Sequence, residues 1–297
     1  MTSVAPARKW QSVVLWSTLL LYLAARLLQL DAERIPSLLI VLLHVIPPAL
    51  FAVVHGGILY RARGILVYTT CCIGVGSLCE SLSLRTGFPF GHYYFTNVMG
   101  PKMLGLPFLL VLAYLGIGYC SWILSVLILG DRYEPLSGAR VVAVPVLASF
   151  IMVAWDLAMD PDWSTIDRAW IWRDGGAFFG VPVSNYFGWA LTAYLFYQAF
   201  ALYCRRCRVV PAAASPSLWR TAILFYAVCA TGNLLVLRQP MAPAVVTDAT
   251  GTSWRTADIL GTCALVSLLV MGPMALLAWL RLRDSEADPR GPAKPAI

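Results

Sequence analysis

Eight apolar runs, separated by short clusters of charge, proline and glycine, divide the sequence. They fall at residues 13–30, 38–54, 65–82, 107–129, 141–159, 185–203, 218–237 and 259–280. Each comes close to the ~20 residues that a helix needs to cross a bilayer. The fold class this predicts is all-α, a polytopic integral membrane bundle of about eight transmembrane helices. The second run holds His44 and a Pro47-Pro48 pair, which can kink a helix, so the count leans most on that stretch.

Composition agrees, since 59% hydrophobic and 12% charged residues set the chain far from the roughly 25% charge of a soluble domain. Lys and Arg set the orientation. With eight alternating runs, fourteen of them lie on one side and seven on the other, with Arg26 left inside the first helix. The positive-inside rule makes the basic side cytoplasmic, which puts both termini there. The first run is long, ends at Arg26 and lacks a small-residue cleavage site, so it reads as a retained helix. The formal charge of +7 belongs to this cytoplasmic rim, beside anionic lipid headgroups, and calls for no nucleic-acid partner. Residues 1–283 are expected to form one transmembrane domain in the cell (cytoplasmic) membrane, and the polar, Pro-rich stretch 284–297 a disordered cytoplasmic tail. No internal repeat is evident.

The eight cysteines change little. Six sit inside apolar runs, where a small polarizable side chain is a common filler. Cys204 and Cys207 have ligand spacing, but one such pair without further Cys or His does not build a zinc site. Neither a metal nor a cofactor is expected.

Two stretches, 80–108 and 155–189, gather acids, aromatics, glycines and prolines in an otherwise apolar chain. Both connections exceed twenty residues and both fall on the non-cytoplasmic side; loops of that length in a compact protein usually have a function. Pro161, Gly175, Gly176, Gly180 and Pro182 let the second fold back as a lid or re-entrant element. Ionisable groups at bilayer depth are expensive and mark function, which singles out Glu80 and Asp156. Asp156 and Asp160 are four apart and share a helical face. If the Glu80 helix is a neighbour, the carboxyls meet at one cavity mouth. Burial and like charge together let one of them keep a proton near neutral pH, as a general acid must.

Each choice has a plainer reading. Asp160 before Pro161 can cap a turn, and Glu80 can pair with Arg85 or Arg173. Tyr94, Phe90, Trp155 and Trp172 can belong to an interfacial aromatic belt instead of a cavity wall. His92 can relay a proton or merely hydrogen-bond at the interface, and Asn185 can cap a helix or touch substrate. His44 and His55 share a similar face and read as packed.

At these stretches the sequence resembles a family of bacterial and archaeal membrane proteins of carotenoid biosynthesis, typified by bisanhydrobacterioruberin hydratase and γ-carotene hydratase. The first match is an acid, Glu80, before Thr86-Gly87-Phe88-Pro89-Phe90-Gly91, then Tyr94, Thr96, Gly100-Pro101 and Leu106-Pro107. The second is Trp155-Asp156, Asp160-Pro161, Trp170, Trp172, Gly176, Gly180-Val181-Pro182 and Asn185 to Trp189. The resemblance implies addition of water to the terminal C1–C2 double bond of an acyclic ψ end group, with no redox cofactor. Under it, Asp156 is the acid and Glu80 its competitor, while Asp160 or His92 holds the water. Tyr94, Trp155, Trp172, Phe90 and Asn185 line the substrate. The partners implied are a long apolar carotenoid, the lipid bilayer and other enzymes of carotenoid biosynthesis.

Other functions compete. A cyclase acting on the same end group also begins by protonation. A prenyltransferase fits the spacing of Asp156, Asp160 and Asp162, without a second Asp-rich segment. A transporter or a carotenoid-binding subunit belongs to a different class.

Overall fold

The computed structural model describes residues 9–130, 132, 134–238 and 243–287. Helix α1 (Lys9–Leu28) leads through a 3-10 turn at Gln29–Arg34 into α2 (Ser37–Thr86). Then come the short strands β1 (Tyr93–Phe95), β2 (Lys102–Met103) and β3 (Leu106–Pro107), followed by α3 (Phe108–Leu129) and α4 (Arg140–Pro161). A wide helical turn at Asp162–Ile166 continues α4 and precedes β4 (Trp170–Trp172). After α5 (Val183–Arg206) and α6 (Pro216–Leu235) a hairpin of β5 (Val245–Thr247) and β6 (Ser253–Arg255) leads to α7 (Thr256–Val266). A wide turn at Ser267–Met271 joins α7 to α8 (Gly272–Ala287) as one rod.

The protein is an all-α, multi-pass membrane bundle. Among the described residues six helical segments are long and apolar enough to cross a membrane. One of them, α2, has 50 residues, and an unbroken helix of that length would measure ~75 Å against a hydrocarbon core of ~30 Å. It is not unbroken. Arg61, at φ 60 and ψ 174, reverses the chain and divides α2 into segments 37–60 and 62–86. The Pro47-Pro48 pair, expected as the weak point, lies inside the first of these segments without ending it. With α5, less apolar but packed on α4 and α2, the segments match the eight runs of the sequence. The final helix passes the expected domain boundary and ends at Ala287; the rest of the expected tail lies outside the described residues.

At the centre, α3 packs on α2 and α4, and α5 on α4 and α2. The remaining helices form a second layer, with α6 touching α1, α3 and α8. Close approach of α3 to α2 depends on Gly116, where a Cβ would fall 2.4 Å from the Pro48 Cβ and 2.8 Å from its carbonyl carbon.

The long connections at one end of the bundle are folded, not open. Strands β1 and β4 pair antiparallel, with Tyr93 opposite Trp172 and Phe95 opposite Trp170. Thr96 ties the ribbon further, its amide donating to the Ala169 carbonyl at 3.0 Å. The β5–β6 hairpin packs beside them, the Trp254 ring meeting Phe179 edge-on at 5.5 Å. The two stretches rich in acids, aromatics and glycines therefore meet in one cap.

Candidate functional site

Beneath this cap lies a cavity of about 1010 Å³, counting all space between atoms out to its mouth. Its wall has the character usual for a small-molecule site, mostly apolar and aromatic with a few converging polar groups. The polar groups come from different helices. Glu80 is six residues before the end of α2, Asp156 and Asp160 are one turn apart on α4, and Asn185 is in the first turn of α5. All four are buried, Asp160 to 1% exposure.

Each acid is held by hydrogen donors. Glu80 accepts from the hydroxyls of Tyr93 and Tyr114, one on each carboxyl oxygen. Asp160 Oδ1 accepts from the indole N–H of Trp170 at 2.8 Å and of Trp172 at 3.4 Å. The Asn185 amide then bridges the pair, Nδ2 donating to Asp156 Oδ2 at 2.9 Å and to Asp160 Oδ2 at 2.7 Å. Asp156 has no other hydrogen bond among the described residues, so its Oδ1 is the carboxyl oxygen of the Asp pair without a protein partner. The capping role for Asp160 and the Arg pairing for Glu80 are not what the structure shows. Arg173 instead lies over the Tyr94 ring, 5.4 Å from its centroid.

Aromatic rings form the rest of the acid end. Tyr93 packs on Trp172 at 4.7 Å between centroids, Phe90 on Trp189 at 5.2 Å, and Tyr114 on Trp189 at 4.4 Å. Trp155 lines the same cavity, as do Trp163 and Trp170. Among the described residues no three His, Cys, Asp or Glu side chains converge as metal ligands.

The profile of the carotenoid biosynthesis protein family matches residues 37–253. The chain belongs to that family. A similar protein is the bisanhydrobacterioruberin hydratase of Haloarcula japonica, 33% identical over 114 residues. The alignment covers 38% of this chain and 36% of that protein, so it spans just over a third of the relative's length. No solved structure matches.

Within this family member the structure gathers Glu80, Asp156, Asp160, Phe90, Trp155, Trp172 and Asn185 around one space. It does not bring His92 or Tyr94 there. His92 is exposed and binds Asp174 through Nδ1 at 2.8 Å, and Tyr94 is 45% exposed on the outer face of the ribbon. The reason is strand alternation, since Tyr93 and Phe95 point inward and the residue between them must point out. Sequence reasoning missed Tyr93 and Tyr114 as partners of Glu80. A two-residue alternation from Tyr93 to Phe95 carries a short signal for the first; Tyr114, inside an apolar run, carries none. Arg26, also on the cavity wall, carried the signal that singled out the acids, a charge within an apolar helix.

Proposed function

We propose that this protein adds water across the C1–C2 double bond of an acyclic carotenoid end group, by proton transfer from Asp156 and capture of the resulting cation. The observation that carries the reading is the Asp156–Asn185–Asp160 bridge inside an aromatic cavity. Three N–H donors suit Asp160 to the carboxylate form, whereas Asp156, with one donor and a free Oδ1, is the member able to carry a proton facing the cavity. Both oxygens of Glu80 are already engaged by tyrosine hydroxyls, which makes it the weaker candidate for the acid.

In this scheme the alkene π pair takes the Asp156 proton at C2 and leaves a tertiary cation at C1. The faces of Trp155 and Trp172 stabilise that charge, and the carboxylates facing it contribute more. Water bonds to C1 and its surplus proton passes to the carboxylate pair, which restores the acid. No electrons are exchanged, so the chemistry needs no redox cofactor. Family membership and the partial likeness to a hydratase support a carotenoid as the substrate.

The test is pigment analysis in a carotenoid-free host that makes lycopene or γ-carotene and expresses this chain. A mass gain of one water that Asp156→Asn abolishes and Glu80→Gln only reduces is the expected result. A new ring at unchanged mass identifies a cyclase instead, and unchanged pigment despite membrane expression overturns the reading for these substrates.

A further inference from the structure

The cavity has a second polar end, away from the acids. Arg26, buried to 6% exposure on α1, donates to Gln29 Oε1 at 3.1 Å, to the Cys229 carbonyl at 3.0 Å and to Asn233 Oδ1. Its Nε has no partner, and among the described residues no carboxylate lies within 4.0 Å of it. The guanidinium fits only because residue 232 is glycine; a Cβ there would fall 1.6 Å from Nε. His44 joins through Nε2, 3.0 Å from Gln29 Oε1.

A buried guanidinium on a cavity wall with no carboxylate beside it is stable when water hydrates it. Exposure points the same way, because the wall residues His44, Met159 and Trp163 are partly exposed whereas Glu80, Trp172 and Asn185 are buried. Polar groups continue outward from Gln29 to the exposed Asp31–Arg34 pair in the next turn.

We propose that this polar mouth, framed by Arg26, His44 and Asn233, is the port through which water enters the cavity. It supplies several polar partners around one gap, which is what an ordered water requires. Trp163 stands between port and acids, its ring edge-on to His44 at 6.1 Å and stacked on Trp170 at 6.4 Å. The use made of the water rests on the hydratase reading; the existence of the port does not.

Native cysteines give the test without substitution. Cys229 lines the cavity beside Arg26, whereas Cys72 is buried and away from it. Wild-type protein in native membranes is pulsed with a small water-soluble methanethiosulfonate, and modification at every cysteine is mapped by mass spectrometry. Cys229 is expected to react at least about tenfold faster than Cys72. Equal slow reaction, or modification of Cys229 by a membrane-soluble maleimide alone, overturns the port, the latter because the mouth then opens to lipid. Pigment from the same membranes separates the two readings. Fast Cys229 labelling without a mass gain of one water supports the port and counts against hydration, and hydration with unreactive Cys229 does the reverse.

Discussion

Both hydrogens of the Asn185 amide are committed to carboxylate oxygens, one on each of two aspartates a single helical turn apart. Replacing it with leucine leaves the buried Asp156 without a donor and Asp160 Oδ2 unpartnered, which costs ~1–3 kcal/mol per unsatisfied group. Asn185→Leu is therefore expected to lower the unfolding midpoint in detergent and to abolish turnover, measured by thermal melts and pigment analysis. Asp156→Asn keeps the amide contact and the volume but removes the transferable proton, and a loss of at least ~100-fold in product formation with near-normal melting is expected. His92→Ala, by contrast, is expected to leave product formation within about twofold, because the imidazole is exposed and paired with Asp174 outside the cavity. The sequence identified the acids and Asn185 because each is a polar group at the end of an apolar run. The family resemblance points to Tyr94, whereas the alternation that turns Tyr93 inward is only three residues long, a signal too short to outweigh it.

The contact of α3 with the first half of α2 and the pairing of β1 with β4 decide where these side chains meet. Gly116→Ala pushes α3 against the Pro48 backbone, and overpacking of this kind costs ~1–3 kcal/mol. A lower melting midpoint and reduced turnover are expected together, since residue 116 also borders the cavity. The β5–β6 hairpin is held differently, through Asp248. Burial pushes its carboxyl up, but donors from Thr250, Trp254 and the Thr252 amide outweigh that and hold it below the usual carboxylate range. A depressed carboxyl stabilises above its unfolded value of ~3.9 and loses that contribution as pH falls through its folded value. Proteolysis within 245–255 is expected to stay flat from about pH 7 to 5, to rise only in stronger acid, and in Asp248→Ala to be high throughout. Hydropathy revealed the helices and the break between residues 54 and 65, yet not that a single left-handed residue, Arg61, makes the turn there. The ribbon was equally hidden, its strands three residues each and far apart in the chain.

Orientation follows from charge, and the bundle puts the cap, the cavity and the β5–β6 hairpin at one end, opposite Cys207 at the end of α5. With the basic end in the cytoplasm, a membrane-impermeant maleimide is expected to label Ala249→Cys on intact cells, and Cys207 only after permeabilisation. The reverse pattern would invert the topology and place the acids on the cytoplasmic side. Residue counts between runs made the number of segments legible, whereas their neighbours in the bundle required packing that no single segment contains. The bridge formed by Asn185 also bears on how the protein is made. Asp156 is synthesised 29 residues before the amide that holds it, and Asp160 ten residues before Trp170. When α4 leaves the ribosome its acids have no escort, and an isolated segment with two carboxyls meets a high barrier to entering lipid. Helices α4 and α5 are thus expected to integrate as a pair, so that a chain ending at Trp172 leaves α4 poorly inserted in a glycosylation-mapping assay and one ending at Arg206 does not.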